Sequence, residues 1–435
     1  MERIEIQRVR LFFILLSVIF SALIPLKMTA EDDLRTKAES GDGAAQYQLG
    51  REYFSGTSAR KVNREIAAYW FRKSAAAGEG AGHSAWGFCL EHGIGTAKDP
   101  VAAFYEYRKA AEKGIAEAAC RYAAMLLTGI AQPGEDPLKN PGIVAEPVKA
   151  MQILEELIRQ GLPSAMRIAG AWELRRENGD RKRGESLLRQ AAAQNDFSAM
   201  RILADLLCRA DSPLQTDHRQ AFALLEKAAS AGDALSAVQL AHLLEVGMGC
   251  EPDEVRALEL YRFAAERGIP EACSRYADFL WAGRGGKQDL PRALELYRSA
   301  AAQGNARAQY QLGFCYLRGI GVKKDPAQAA DHFFQAARGG DKFARLRLAE
   351  AYRSGSGTPA DPAAAAYWFS KAAESGLPEG IREYALCLIR GEGVAKETGR
   401  GFALLRHAAA AGDEVAIRLM SELQKNNPSN QEDKR

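Results

Sequence analysis

Apolar side chains recur along most of the chain at spacings of three and four residues, which is the spacing of one face of an α-helix. These amphipathic stretches come in pairs, and the pairs repeat. A signature marks each repeat, in its commonest form two Ala, two further residues and a Gly. The Gly residues of the signature, or the residues that replace them, are Gly41, Gly78, Gly114, Gly161, Asn195, Gly232, Gly268, Gly304, Gly340, Gly376 and Gly412. Six of the ten intervals are 36 residues, so the pattern predicts a repeat array.

The first stretch after each signature predicts a helix with small residues in its apolar face. The side chain four residues after the signature is always small, as at Ala308. The side chain nine residues after the signature is usually small too, as at Gly313. Small residues in that stripe let a second helix pack closely. Fifteen residues after the signature, eight of ten units have a Gly, which predicts a left-handed helix end. These are Gly56, Gly93, Gly129, Gly247, Gly283, Gly319, Gly355 and Gly391.

Several linkers add another Gly two residues later, as at Gly95 and Gly321. Gly-x-Gly occurs in phosphate-binding loops, but here it recurs in six linkers and no Lys-Ser/Thr motif follows it. We therefore assign these residues to the linkers.

The second stretch begins fifteen residues before the next signature, at a residue that is Asp or Asn in eight of ten units. The ten residues are Asn63, Asp99, Glu146, Asp180, Asp217, Asp253, Asp289, Asp325, Asp361 and Glu397. Such side chains accept hydrogen bonds from the free amides of a first turn, so we interpret this acidic series as helix caps rather than as a metal site. Within the second stretch, the position seven residues before the next signature is an aromatic residue or Leu. We expect this side chain to lie in the core.

These positions together predict an all-α fold, an alpha-solenoid of about ten 36-residue helix-turn-helix units over residues 31–423. The pattern resembles the Sel-like repeat, a relative of the tetratricopeptide repeat, and residues 304–339 are its nearest copy in this chain. The resemblance implies a right-handed superhelix whose first helices line the concave side. It also implies an adaptor or scaffold role in protein complexes, which is common among exported bacterial members.

The N-terminus predicts export. Arg3, Arg8 and Arg10 precede sixteen residues without a charge, Leu11 to Leu26, which is typical of a secretory signal. This run would span roughly 24 Å, short of a hydrocarbon core of about 30 Å, so cleavage after Ala30 is favoured over an uncleaved anchor. Residues 1–30 are thus a signal peptide or a membrane anchor. We expect a periplasmic or cell-envelope location, with a secreted or membrane-anchored protein as the alternative. The polar tail 424–435 is expected to be disordered.

No enzymatic constellation emerges from the sequence. The seven cysteines include no Cys-x-x-Cys pair, and Cys89, Cys315 and Cys387 share a repeat position with Leu243 and Phe279 elsewhere. We expect them to be buried and inert. The six His residues have no metal spacing, so no metal or cofactor is predicted. Ser58 and Lys61 fit Ser-x-x-Lys, the nucleophile motif of penicillin-binding enzymes, but its companion motifs are missing.

The balance of charge favours a protein partner. With 58 Lys and Arg against 55 Asp and Glu, the chain lacks the basic surplus of a nucleic-acid-binding protein. The expected partner-binding residues on the first helices are Arg167, Arg175, Arg201, Arg209, Phe88, Trp281 and Phe314. The four Arg residues could grip carboxylates; the alternative is a solvated basic face.

The sequence thus predicts a non-enzymatic, exported scaffold that binds a protein or peptide in its concave groove. Two alternatives stay open, a hydrolase acting on cell-wall or β-lactam substrates and a binder of envelope glycans. The unit that follows Gly114 is 47 residues long, and its extra length is a loop rich in Pro and Gly, between Gly129 and Pro147. This loop is either a recognition feature or a neutral insertion. The oligomeric state is not indicated.

Overall fold

The chain folds as a succession of antiparallel helix pairs. A computed structural model describes residues 30–57, 60–130 and 142–425, which form 22 α-helices. A single helix, α1 (Ala30–Glu39), precedes the first full repeat. The first helices of the repeats are α2 (Gly43–Ser55), α4 (Gly80–His92), α6 (Ala116–Thr128), α8 (Pro163–Arg175), α10 (Phe197–Cys208), α12 (Ala234–Val246), α14 (Pro270–Ala282), α16 (Ala306–Arg318), α18 (Lys342–Ser354), α20 (Pro378–Arg390) and α22 (Glu414–Lys425). The second helices are α3 (Arg64–Ala76), α5 (Pro100–Glu112), α7 (Pro147–Arg159), α9 (Arg181–Ala193), α11 (His218–Ser230), α13 (Glu254–Ala265), α15 (Leu290–Ala302), α17 (Pro326–Arg338), α19 (Pro362–Glu374) and α21 (Thr398–Ala410).

The second helices begin where the acidic series predicts. The eight Asp and Asn side chains each accept a hydrogen bond from a backbone N–H of the first turn, as Asp99 does from Ala102 at 2.9 Å. Glu146 and Glu397 precede α7 and α21 but make no such bond, because their side chain is one methylene longer. The capping interpretation is therefore confirmed for eight of the ten positions.

The predicted left-handed helix ends are found in six of eight linkers. Gly93, Gly247, Gly283, Gly319, Gly355 and Gly391 adopt the left-handed conformation. Gly56 and Gly129 also have positive φ, but their ψ angles of 153° and 179° are extended. The prediction was wrong for these two because the chain leaves their helices in an extended direction; after Gly129 it enters an isolated antiparallel bridge between Ile130 and Ile143.

The second Gly of the linker is required by a close approach to the preceding repeat. A Cβ on Gly95 would lie 2.0 Å from the carbonyl oxygen of Arg64, at the start of the preceding second helix, and a Cβ on Gly393 would lie 1.9 Å from that of Pro362. Atoms cannot approach so closely. These linkers therefore pack backbone against backbone, which supports their assignment as structural elements rather than as phosphate sites.

The core lies between the paired helices. The predicted aromatic or Leu position of every second helix is buried, from Phe71 in α3 to Leu405 in α21. Facing it are the small residues of the first helix. Gly50 and Gly313 lie so close to the rings of Phe71 and Phe333 that a Cβ would come within 2.7 Å of them. Small residues on one helix thus make room for large ones on the other, as the repeat pattern predicts.

The described chain divides into two compact units, residues up to 202 and residues from 203, and the boundary falls inside α10. Residues 1–29, 58–59, 131–141 and 426–435 lie outside the described part. The predicted leader, Ser58, most of the insertion and most of the tail are among them. Among the described helices, none combines the length and apolarity needed to cross a bilayer. All-α architecture in helix-turn-helix repeats is confirmed.

Candidate functional site

A groove opens in the first unit on the face formed by three successive first helices, α2, α4 and α6. It encloses about 380 Å³. Tyr47 and Phe54 line it from α2, Phe88 from α4 and Arg121 from α6, with Phe71 at its base. Phe54 and Phe88 meet edge to face with their ring centroids 6.2 Å apart. These half-buried rings offer an apolar surface that remains open to a ligand.

Two cations border this aromatic surface. The guanidinium of Arg121 lies 5.2 Å from the Phe88 ring centroid and donates to Glu91 at 3.2 Å. Arg51 is exposed, lies 5.9 Å from the Tyr47 ring centroid, and has no carboxylate partner among the described residues. Arg51 is therefore available to a carboxylate of a ligand, whereas Arg121 is already held.

Beneath the groove, a buried Tyr holds the carboxylate that positions Arg121. The Tyr107 hydroxyl donates to Glu91 at 2.7 Å, and Arg121 bonds the same carboxylate oxygen. Burial and this hydrogen bond raise the pKa of Tyr107 well above its ordinary value, so the phenol stays protonated and remains a donor. Two hydrogen bonds that meet at Glu91 thus join α4, α5 and α6 and fix the wall of the groove.

His83 and His92 also lie on α4. The buried His83 ring bonds Glu106 of α5 at 2.6 Å, and the His92 ring lies 4.4 Å from that of Phe88. His83 joins two neighbouring helices, and His92 supports one edge of Phe88. No cluster of metal-binding side chains occurs among the described residues.

In the second unit, the corresponding first-helix face carries a network of polar groups. Tyr261 and Arg284 both bond Glu245, at 3.1 and 2.7 Å. One repeat further, Tyr297 bonds Asp278 at 2.7 Å, and Arg307 bonds the other oxygen of Asp278 at 2.6 Å. Carboxylates of one repeat are thus held by cations of the next, which ties neighbouring repeats together.

The four predicted Arg residues occupy different environments. In the first unit, Arg167 pairs with Asp196 at 3.0 Å, Arg201 bonds Ser198 at 2.8 Å, and Arg175 is exposed at the end of α8. In the second unit, Arg209 makes two hydrogen bonds to Asp211, at 2.9 and 3.1 Å. Neighbouring Asp residues therefore neutralise Arg167 and Arg209. Their role in partner binding stays a prediction.

The predicted aromatic residues are all half-buried. Phe88 lies in the groove, while Trp281 and Phe314 lie in the second unit on α14 and α16. The Trp281 ring centroid is 6.4 Å from that of the buried Tyr297, and Arg318 lies 5.9 Å from the centroid of Phe314. Trp281 and Phe314 thus contact their own repeats and show a partly open face.

Sequence reasoning missed most of the groove. Tyr47, Phe54, Arg51 and Arg121 were not identified from the sequence. They lie six, thirteen, ten and seven residues after a signature position, but other repeats bury the side chain at the first two of these positions, as at Val238 and Leu174, so spacing alone does not mark them. What distinguishes them is that two successive repeats supply aromatic residues at positions that face one another.

The cysteines behave as predicted from their repeat position. All seven are free thiols, and Cys89, Cys120, Cys273, Cys315 and Cys387 are buried. Burial raises the pKa of Cys89 and of Cys315 to about 11, so these thiols stay protonated and unreactive at neutral pH.

Comparison with known proteins identifies the repeat. A family model of the Sel1 repeat matches residues 43–79, 81–115, 198–233, 234–269, 270–305, 306–341, 343–377 and 378–413. The chain belongs to the Sel1 repeat family. The unmatched stretch, 116–197, contains the 47-residue unit and the unit two residues shorter than the period, where the pattern is most irregular.

Solved structures of Sel1 repeat proteins resemble the chain. A Sel1 repeat protein from Oxalobacter formigenes is 21% identical, with 90% of each chain covered and a TM-score of 0.50, which supports the fold. The protective antigen c5321 of uropathogenic Escherichia coli is 25% identical over 92% of this chain and 91% of that one, with a TM-score of 0.41. The immunity protein Pa5087 of Pseudomonas aeruginosa is 19% identical over 48% and 74%, with a TM-score of 0.35. None of the curated protein sequences matches significantly.

Proposed function

We propose that this Sel1 repeat protein is an exported scaffold that binds a protein or peptide partner on its first-helix face. Sel1 repeat proteins generally mediate protein–protein interactions. The observation that carries the proposal for this chain is the groove of α2, α4 and α6, where half-buried rings and an available cation lie together. Aromatic residues and Arg dominate the energetics of protein interfaces.

The groove suggests the chemistry of its ligand. A large apolar side chain of the partner would pack on the open faces of Phe54 and Phe88, and an acidic group beside it would pair with Arg51. An extended peptide can present both in successive residues. Arg175 and the partly open rings of Trp281 and Phe314 are proposed as further contacts.

Export is the second part of the proposal. It is supported by the charged start and the sixteen-residue uncharged run, which lie before the described residues. A periplasmic or envelope location follows from that segment, with anchoring to the membrane if it is not cleaved.

The proposed role is non-enzymatic. Members of the family are typically scaffolds without catalytic activity. In the described part of the chain the buried thiols are unreactive, and His83 and His332 form hydrogen bonds with neighbouring helices. The carboxylates on the first-helix face are held by Tyr or Arg, which favours a structural role for them.

The proposal is tested by capturing partners of the tagged full chain in its native cells. Two groove variants are compared with the natural protein, Phe88→Ala and the charge reversal Arg51→Glu, which changes an exposed side chain and leaves the fold intact. The control is Tyr367→Ala, which removes an exposed aromatic residue from a second helix. Thermal unfolding checks that each variant folds.

We expect both groove variants to weaken capture of the same partner by about 30-fold, the effect of losing an interface hot spot. The control should bind as the natural protein does. Equal capture by all variants would contradict the groove assignment. Capture of glycans rather than proteins, with the same dependence on Phe88, would favour the glycan-binding alternative instead.

A further inference from the structure

Two adjacent second helices of the first unit carry the same exposed sequence, Tyr-x-x-Arg-Lys. It is Tyr69, Arg72 and Lys73 in α3, and Tyr105, Arg108 and Lys109 in α5. We call these six residues the Tyr-Arg-Lys face. The eight other full repeats lack the combination; at the Tyr position they have Gln152, Ser186, Ala223, Glu259, Glu295, Asp331, Tyr367 and Ala403.

The two helices lie side by side and run in the same direction. At one end, the linker before α5 packs on the start of α3, since a Cβ on Gly95 would lie 2.0 Å from the Arg64 carbonyl oxygen. At the other end, a Cβ on Gly78, after α3, would lie 3.9 Å from the Lys113 ammonium, at the end of α5. Equivalent residues of the two helices therefore face the same way.

The aromatic residues of this face are exposed, and cations lie over them. Tyr69 is 53% exposed and Tyr105 is 44% exposed. The Lys73 ammonium lies 5.8 Å from the Tyr69 ring centroid, and the Arg108 guanidinium lies 5.7 Å from that of Tyr105. Trp70 packs edge-on against Tyr69 with a centroid separation of 5.2 Å. The face thus combines amphipathic rings with long basic side chains.

Acidic side chains pair with two of the four cations of the face and leave the other two unpaired among the described residues. Residues 60–76 contain five Lys or Arg and one Glu, and residues 98–113 contain four Lys or Arg and three Asp or Glu. Glu106 bonds Lys109 as well as the buried His83, and Arg108 lies 3.4 Å from Glu112. Arg72 and Lys73 have no carboxylate partner in the part of the chain that the structure describes. The two segments together carry a surplus of five positive charges against +3 for the whole chain, and the unpaired cations of the face lie on α3.

We propose that the Tyr-Arg-Lys face docks on an anionic phospholipid surface. Tyr and Trp prefer the level of the lipid headgroups, where the ring is partly apolar and its polar end reaches water. Lys and Arg can lay their aliphatic stems along the rings and extend their charges to the phosphates. A purely acidic protein surface would need the charges but not the paired Tyr residues. The proposal concerns second helices and does not depend on the groove of the first helices.

The chain itself supplies a matched control. Tyr367 and Trp368 on α19 of the second unit repeat the geometry of Tyr69 and Trp70, with the same centroid separation of 5.2 Å and the same interplanar angle of 79°. Residues 361–374 nevertheless contain one Lys and two acidic residues. This helix therefore has the aromatic pair without the positive charge, and should not dock.

The test measures amide hydrogen exchange of the full chain with three probes, vesicles of phosphatidylglycerol and phosphatidylcholine, vesicles of phosphatidylcholine alone, and soluble polyglutamate. Exchange of one helix is a local readout, so a contribution of the N-terminal segment to binding does not obscure it. One variant changes Arg72, Lys73, Arg108 and Lys109 to Gln, and another changes Tyr69 and Tyr105 to Ser. A matched variant changes four exposed cations of the second unit, Lys323, Lys324, Arg338 and Lys342, to Gln.

We expect anionic vesicles alone to slow exchange in α3 and α5, and to leave α19 unchanged. The four-Gln variant of the face should require roughly 600-fold more anionic lipid for the same protection, since each of the four basic residues contributes about five-fold. The variant with Ser at positions 69 and 105 should also show weaker protection by anionic vesicles. The matched variant of the second unit should be protected as strongly as the natural protein. Absence of protection, equal loss in the matched variant, or protection by polyglutamate that is insensitive to the Tyr changes would each overturn the proposal.

Discussion

At the scale of single residues, the second Gly of the linker lets neighbouring repeats pack because it has no Cβ. Gly393 and four of its equivalents place backbone against the first carbonyl of the preceding second helix, where a Cβ has no room, whereas a Cβ on Gly321 would meet the Leu294 side chain. Gly at the signature position serves a different purpose. Gly376 has a positive φ of 72°, close to the 71° of Gly393, but a Cβ there would meet nothing within 4 Å. The two positions therefore separate the effect of conformation from the effect of contact.

This comparison gives the first prediction. Gly376→Ala should lower the free energy of unfolding by about 1 kcal/mol, because a non-Gly residue pays for positive φ. Gly393→Ala should lower it by at least about 3 kcal/mol, since the same conformational cost is joined by a clash that shifts the repeat interface. Chemical denaturation of both variants measures the difference. Equal losses would show that the close approach contributes nothing to stability.

Residue types also show how far the sequence alone could be interpreted. The Asp and Asn caps follow from spacing because a cap is a local interaction between residues three apart, and eight of them are confirmed. The partners of Arg167 and Arg209 were not predictable in the same way. Asp196 precedes the first helix of the next repeat and Asp211 lies in the linker after α10, so the fold decides which cation each carboxylate meets.

At the scale of helices, the first helices of neighbouring repeats are joined by buried or half-buried charges. Glu245 is the clearest example, because Tyr261 and Arg284 bond it and Arg275 lies nearby. Burial alone would raise the pKa of the Glu245 carboxyl, but the hydrogen bonds from Arg284 and Tyr261 and the positive charge of Arg275 together lower it. Asp413 behaves similarly: burial opposes ionisation, but Arg382 and the α22 amides lower its pKa.

The second prediction concerns pH. Because the pKa of Glu245 is lower in the folded protein than its ordinary value of 4.5, its stabilising effect is complete above that value and is lost as the pH falls through the folded pKa. We expect Glu245 and Asp413 each to contribute about 1 kcal/mol at pH 7, which is lost as the pH falls below their ordinary pKa values of 4.5 and 3.8 and through the lower pKa values of the folded protein. Denaturant unfolding at several pH values measures this loss.

The variant Arg284→Met should remove the contribution of Glu245 to the free energy of unfolding. The free energy of unfolding of this variant should therefore fall less steeply as the pH is lowered. Arg292→Met is the matched control, since Arg292 pairs with Glu295 where both side chains are more than half exposed. Such surface pairs contribute little. If Arg284→Met leaves the pH dependence of the free energy of unfolding unchanged, or if Arg292→Met changes it equally, the role given to Glu245 is contradicted.

At the scale of the whole molecule, the repeat period was enough to predict the architecture. The groove, in contrast, could be identified only from the three-dimensional structure. A 36-residue period places equivalent residues on neighbouring helices, which is why helix pairs, core positions and most caps could be derived from spacing. The groove depends on which side chains of three successive repeats meet. Phe88 was identified from the sequence, but its neighbours Phe54 and Tyr47 resemble core residues until their exposure is known.

The array therefore has two faces with different chemistry in its first unit. The first helices α2, α4 and α6 carry the aromatic groove, and the second helices α3 and α5 carry the Tyr-Arg-Lys face. A scaffold that docks on a membrane through one and recruits a partner through the other would use both helices of its repeats.

The central claim is that the groove binds a protein partner, and photo-crosslinking in the native cells tests it most directly. A photoreactive residue is placed at Gln48, exposed on α2 next to the groove residue Tyr47, and in a second protein at Tyr367 on α19. The account predicts a discrete crosslinked partner from position 48 that is lost when Phe88 is also changed to Ala, and none of that partner from position 367. The same partner from both positions, or a crosslink from position 48 that survives Phe88→Ala, would contradict it.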